Sequence, residues 1–334
     1  MKTMDENKLK QALMRHLGFG VAVEGLQRLP GGASHVTWSL DAVKEDGERL
    51  PLILREGPDL AKHDSNSGQL DCLSEYRLLK AAETTGVPVP RIYFMFEPED
   101  EVGFGYLMER IEGETIPRKI LRDEAYAPAL PLMAGQCGEI LARIHKVDIS
   151  ELSFLRPVPP DMSPAGQAIG QFQQILTALG EPHPAFELGL RWLEERLPSA
   201  ERITLVHGDF RNGNLIVGPE GVRSVLDWEL SHIGDPMEDL GWLCVKSWRF
   251  GVNDRPVGGF GAYDELFAAY EKASGIPVDP KTVHFWEVFG NIKWGVVCIV
   301  QAMSFLMGVR RTVEHAALGR RICETEYDVM NLIS

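Results

Sequence analysis

No two cysteines in this chain share a CxxC spacing; the five present (Cys72, Cys137, Cys244, Cys298, Cys323) are scattered. That excludes a zinc-ribbon site and a disulfide framework, and reads as reduced, mostly buried thiols in a cytoplasmic protein. Positive charge is also short: 34 Lys and Arg stand against 48 Asp and Glu, a formal net charge of -14. A broad nucleic-acid footprint is therefore not expected, because phosphates attract basic surfaces. The longest apolar run, "WGVVCIVQAMSFLMG" (294–308), is too short to span a bilayer and contains Gln301. It reads as a buried core helix, and no membrane association is expected. The N-terminus "MKTMDENKLKQALMRHLGFG" has no apolar signal-peptide core. There is no histidine pair at i, i+4, no serine in a nucleophile-elbow setting, and no Gly-Lys-Ser/Thr phosphate loop.

What remains is an ordinary globular composition, 44% hydrophobic and 25% charged over 334 residues, enough for two lobes. After a first helix at about 5–18, "VEGLQRL", "HVTWSLDAV" and "LPLILREG" are β-rich runs separated by "PGGAS" and "KEDGER". They predict three antiparallel strands in a meander. "QLDCLSEYRLLKAAETTG" (69–86) has helical spacing and stops at Gly86. "VPVPRIYFMFE" and "GFGYLMERIEG" return to strand character. From about 115 the pattern is mainly helical, with helices near 167–180 and 184–197 and a helical tail from 262. The expectation is an α+β chain: a small antiparallel β-rich lobe (1–108), then a larger, mainly helical lobe (109–334). A cleft between two such lobes is where a ligand would sit.

One segment is too polar for its surroundings. "HGDFRNGNLIV" (207–217) sets His207, Asp209 and Asn214 between the apolar runs "ITLV" and "LIV". Phosphoryl transfer from ATP needs a carboxylate at the attacking hydroxyl and magnesium (Mg2+) across the phosphates. An Asp followed five residues later by an Asn supplies both from one turn: Asp209 for the hydroxyl, Asn214 as a hard oxygen ligand for the metal. Alone, such residues also populate turns for local reasons. A second carboxylate, Asp227, follows in "SVLDWELSHIGDP" after an apolar strand. Together these make a metal-assisted transfer site the better reading.

"LVHGDFRNGNLIV" followed by "VLDWELSHIGDPMEDLGW" resembles the aminoglycoside phosphotransferase and choline kinase-like family, small-molecule kinases of protein-kinase-like fold. The nearest resemblance is to kinase domains fused to acyl-CoA dehydrogenases and their stand-alone bacterial relatives. It implies Asp209 as the catalytic Asp, with Asn214 and Asp227 as magnesium ligands. Glu229, two residues past Asp227 on a strand, is expected to point the same way as Asp227, either reaching metal or substrate or remaining a surface acid. His207 is expected to pack and orient the loop. Asp235 reads as a helix N-cap with Pro236 first in the helix, and Asp239 as a brace for the loop. His145 reads as a core or helix-terminal histidine.

On the nucleotide side the resemblance makes "RLPGGASHVTWSL" a glycine-rich loop, with Gly31, Gly32 and Ser34 facing phosphate. Arg55 in "LILREG" would be the phosphate cation and Glu75 in "SEYRLLKAA" its partner. Most kinase-like folds carry Lys at that strand position, and Arg is a broad fork where Lys is a compact charge. The alternative is an exposed Arg on an edge strand. "YLMERIEGETI" would meet adenine through backbone groups of Glu109 and Ile111, with Met108 lining the site.

The implied acceptor is the hydroxyl of a small molecule. Arg118, Lys119, Arg122, Lys246 and Arg249 would suit an anionic one, a hydroxy acid or hydroxyacyl-CoA, though exposed charges explain them as well. The segment 150–200 carries Glu151, Asp161, Glu181, Glu187, Glu194 and Glu195 against Arg156, Arg191 and Arg196, a modest acidic excess for a polycation. An aminoglycoside or amino-alcohol kinase is the alternative, and a nucleotide-binding pseudokinase a further one. The chain is expected to act as a monomer or homodimer.

Overall fold

The structure, a computed structural model, describes residues 4–29, 35–58, 69–199 and 202–334. Helix α1 (Glu6–Leu17) starts where Asp5 accepts the N–H groups of Asn7 and Lys8, and ends at Gly18 in a left-handed conformation. Five antiparallel strands follow in one sheet: β1 (Val21–Arg28), β2 (Val36–Lys44), β3 (Arg49–Glu56), β4 (Ile92–Met95) and β5 (Gly105–Glu109), in the order β1-β2-β3-β5-β4. The expected meander is its first half.

Alternation decides what each face of the sheet does. Leu52 and Leu54 of β3 are buried with Leu9 and Leu13 of α1, Leu40 and Leu107. Arg55, between these in phase, turns to the opposite side. There lies α2 (Cys72–Thr84), whose Leu78 joins Tyr106 in the larger core that continues into the helical part. Helix α2 is shorter than the periodicity predicts, because Asp71 caps it by accepting from Leu73 and Ser74 N–H. Its C-cap is Thr85, with Gly86 following at φ 75°.

The helical part comprises α3 (Pro117–Ile120), α4 (Leu130–Ile144), α5 (Pro164–Leu179), α6 (Pro184–Glu194), α7 (Met237–Cys244), α8 (Tyr263–Ser274), α9 (Pro280–Leu306), α10 (Val313–Leu318) and α11 (Arg321–Ile333). Between α6 and α7 run four short strands: β6 (Thr204–Val206), β7 (Leu215–Gly218), β8 (Gly221–Val225) and β9 (His232–Gly234). Strand β6 pairs with β9, and β7 with β8. The polar segment 207–214 is therefore not a hairpin turn. It links two separate two-stranded sheets, which frees its backbone for other partners.

Helix α9 extends the predicted core run to 27 residues and is long and apolar enough to cross a membrane by length and composition. Half of its most apolar stretch is buried inside the protein. The chain passes from β5 into the helical part through Glu114, which exchanges backbone hydrogen bonds with Val217 of β7 at 2.9 and 3.0 Å.

Candidate active site

The loop after β6 is held from behind by a buried acid. The N–H groups of His207 and Gly208 donate to Oδ2 and Oδ1 of Asp239 on α7, at 2.8 and 2.9 Å. His145, the C-cap of α4, bridges Asp239 Oδ2 (3.1 Å) and the Tyr270 hydroxyl (2.9 Å). Burial opposes the charge on Asp239, but the hydrogen bonds from His145 and from the His207 backbone hold its carboxyl below the usual range. Gly208 sits at φ 79°, and a Cβ there would meet the Leu230 carbonyl oxygen at 2.4 Å, so only glycine fits. His207 is fully buried and its Nδ1 accepts the Asp209 N–H at 3.2 Å. Burial lowers its pKa, against the pull of Asp239 and Asp209. It therefore supports the loop as a neutral ring.

Asp209 is presented by this loop and held by three side-chain donors. Trp242 Nε1 donates to Oδ1 at 2.9 Å, and Asn214 Nδ2 to Oδ2 at 2.6 Å. Arg211 Nε lies 3.0 and 3.3 Å from the two oxygens. Asn214 Nδ2 also donates to the Asp209 carbonyl at 3.0 Å, so the amide is fixed with Oδ1 as its remaining acceptor. Lys293 of α9 ties the loop from another side, donating to the Gly208 carbonyl (3.0 Å) and pairing with Glu238 (3.2 Å).

Asp227 reaches the same place by a backbone hook: Leu226 N–H donates to the Asn214 carbonyl at 2.8 Å. Strand β8 ends at Val225, and Asp227 is one of three non-glycine residues with positive φ among those described, at 65°. Strand alternation therefore does not relate Asp227 to Glu229, contrary to the sequence-based expectation. Glu229 still comes close to Arg55: its Oε1 accepts from Gln69 at 2.9 Å, and its Oε2 lies 4.0 Å from Arg55.

Arg55 is not an exposed edge residue. Its Nε donates to Glu75 at 2.8 Å, and its Nη2 lies 3.7 Å from Asp227. Burial and the Glu229 carboxylate push Asp227 up to about 6, with Arg55 opposing. Its side chain keeps 40% of its surface open to solvent, which screens part of that effect. Acids crowded around an open carboxylate suit a divalent cation. Among the described residues no cluster of three or more His, Cys, Asp or Glu could hold a metal alone. Asn214 Oδ1 and Asp227 would supply two ligands, leaving the rest to phosphate oxygens and water, as magnesium prefers.

At the end of β5, Met108 lies opposite Ile53 and Ile92. Glu109 N–H is taken by the Arg91 carbonyl (2.9 Å) and Arg110 N–H by the Pro51 carbonyl (3.0 Å). Among the described residues the Ile111 N–H has no backbone partner. Gly31, Gly32 and Ser34 lie outside the described residues.

Three of the five cations expected to meet an anionic acceptor are already paired: Lys119 with Glu114, Lys246 with Asp328, and Arg249 with Glu287. Asp235 was expected as the N-cap of α7, but Pro236 holds that position and the helix starts at Met237; Asp235, one residue earlier, still accepts the Met237 N–H at 2.9 Å. Arg211, Trp242, Lys293 and the bracing role of His145 were missed from sequence. Arg211 and Trp242 stood inside quoted motifs without a role; His145 and Lys293 carry no local signal, since their partners are 94 and 85 residues away.

Residues 25–276 match the family described as "Phosphotransferase enzyme family" (APH). A mouse (Mus musculus) protein, acyl-CoA dehydrogenase family member 10, is 33% identical over 225 residues, covering 61% of this chain. This match covers about a fifth of that relative's length (20%). A Ralstonia eutropha structure assigned to the aminoglycoside phosphotransferases superposes with a TM-score of 0.77 at 23% identity, covering 99% of this chain and 98% of that one. Aminoglycoside phosphotransferase APH(4)-Ia, solved as a ternary complex with AMP-PNP and hygromycin B, gives a TM-score of 0.62 at 14% identity, covering 98% and 97%. At these identities the structures show the fold, that of protein-kinase-like phosphotransferases.

Proposed function

Because this chain belongs to the phosphotransferase enzyme family, we propose that it is an ATP- and magnesium-dependent kinase for the hydroxyl of a small molecule. The observation that carries this reading is the hook between the two motifs. Asp209 and Asn214 share one braced loop, and Leu226 N–H on the Asn214 carbonyl brings Asp227 to it. Asp209 holds the acceptor hydroxyl and takes its proton as the new oxygen–phosphorus bond forms. The bond from the γ-phosphorus to the bridging oxygen breaks, and ADP leaves. Arg55, fixed by Glu75, meets the α- and β-phosphates. Asn214 and Asp227 would hold magnesium, which would supply charge neutralisation at the phosphates. The ATP analogue in the APH(4)-Ia complex supports the nucleotide assignment, and a backbone-read adenine would use Glu109 and Ile111.

For the acceptor we favour a hydroxy acid or its CoA thioester over an aminoglycoside or amino alcohol. The name of the mouse relative carries acyl-CoA chemistry, and Arg211 is a cation at the reactive carboxylate. A pseudokinase is disfavoured by intact Asp209, Asn214, Asp227 and the Arg55–Glu75 pair. The test is an ATP-consumption screen over hydroxy acids, hydroxyacyl-CoAs, amino alcohols and aminoglycosides, repeated with Asp209→Asn. That variant is expected to bind ATP and transfer nothing. Unchanged turnover would sink the reading, and a response to polycations alone would overturn the acceptor preference.

A further inference from the structure

Three N–H donors crowd Asp209, whose side chain keeps only 13% of its surface exposed. Trp242 and Asn214 each donate to one oxygen, at 2.9 and 2.6 Å, and the Arg211 Nε–H is shared between both, at 3.0 and 3.3 Å. A carboxylate offers about four acceptor positions in all. An acceptor hydroxyl has to compete with these donors, and it gains the most room where the least firmly held one leaves.

Which one leaves follows from how each is held. Trp242 is 4% exposed on α7, and Asn214 is 6% exposed and also bound to the Asp209 carbonyl. Arg211 is the most open of the three, with 23% of its side chain exposed. Its guanidinium lies 4.5 Å from the centre of the Trp248 ring, so it can slide off Asp209 and keep its stacking partner. A guanidinium displaced from a carboxylate needs another oxygen acceptor, or the displacement goes uncompensated.

We propose that Arg211 gates Asp209 and selects acceptors that carry a carbonyl-type oxygen, carboxylate or thioester, close to the hydroxyl to be phosphorylated. This rests on the reading of Asp209 as the residue that receives the hydroxyl. With no acceptor, Arg211 stays on Asp209 and keeps water from the position where it would attack ATP. An acceptor with the right oxygen draws the guanidinium away as its hydroxyl docks, so selection and activation are one event. Lys119, Lys246 and Arg249, bound to their own acids, take no part.

The experiment compares wild type with Arg211→Met and Arg211→Lys. Each acceptor active in the screen is assayed beside its analogue with the carbonyl reduced to methylene, and ADP release is also followed with no acceptor. Wild type should prefer the carbonyl compound and release little ADP alone. Arg211→Met should raise the acceptor KM about tenfold or more, the scale of one charge-assisted hydrogen bond. It should narrow the preference, raise acceptor-independent ADP release and leave the ATP KM in place. Arg211→Lys, which keeps the charge without the fork, should fall between. Free acids and thioesters in separate arms identify which oxygen is read. A rise in the ATP KM with the acceptor KM unmoved would make Arg211 a phosphate contact and overturn the inference. Equal use of carbonyl and methylene acceptors by wild type would overturn it without any variant. Activity surviving in Asp209→Asn removes the underlying reading instead, so the two failures are distinct.

Discussion

His145 Nε2 and Asp239 Oδ2 lie 3.1 Å apart, both buried, and through that contact α4 reaches the loop that presents Asp209. The Asp239 carboxylate accepts two backbone N–H groups and His145 at once. No single hydrogen bond positions the loop; one buried anion with three donors does. Its charge is tolerated because those donors meet both oxygens.

Removing that anion leaves two backbone N–H groups and His145 Nε2 without that partner, while His145 Nδ1 keeps Tyr270. Asp239→Ala is expected to cost about 3–5 kcal/mol of stability, the range for breaking a buried charged network. His145→Gln, which retains a donor, should cost about 1–3 kcal/mol. Denaturant melts of both variants check this. A cost for Asp239→Ala below that of a surface substitution would show that the brace is not where the loop gets its order.

Asp227 sets a pH dependence whose sign follows from its raised pKa, about 6 against an ordinary 3.8. The folded, metal-free protein favours the protonated acid. That contribution to stability is fully present below 3.8 and is lost as pH rises through about 6. Asp227→Asn should lack this loss, so its Tm without magnesium should exceed that of wild type at pH 7 by more than at pH 4. Magnesium needs the ionised carboxylate, so magnesium-dependent ATP affinity should weaken as pH falls below 6, by at most about tenfold per pH unit. Thermal melts and calorimetric titrations over pH 4–8 read both effects. A flat Tm difference across that range would contradict the assignment.

The sheet and the three acidic or amide positions were legible because each is a local pattern. Period-2 runs marked β2 and β3, and Asp209, Asn214 and Asp227 lie within 19 residues of one another. The pairing of β6 with β9, not with its neighbour in sequence, was not legible, because a three-residue strand does not encode its partner. Nor was the turn that carries Glu229: nothing local announces the positive φ of Asp227. Three of the five cations named for an anionic acceptor proved to be paired, for a related reason. A list of basic residues does not say which acid each will meet, and Arg249 finds Glu287 across 38 residues. Arg211 was in view, but its meaning depends on Trp248, reached only through α7 and the loop beyond it.

Trp242 separates orientation of Asp209 from its gating. Its indole N–H donates to Asp209 Oδ1, while its ring underlies Lys293 at 4.7 Å and packs on Trp248 at 5.2 Å. Trp242→Phe keeps an aromatic ring in that packing and deletes the donor alone. A hydrogen bond to a charged acceptor contributes about 1.5–3 kcal/mol. If it serves to aim the carboxylate at the hydroxyl, kcat should fall by about tenfold to a hundredfold, with the ATP KM unchanged. Carbonyl preference should survive, because Arg211 still covers Asp209 in the absence of an acceptor. Steady-state kinetics over paired acceptors measure each quantity. Loss of carbonyl preference in Trp242→Phe at unchanged kcat would mean that the indole, not the guanidinium, decides which acceptor Asp209 receives.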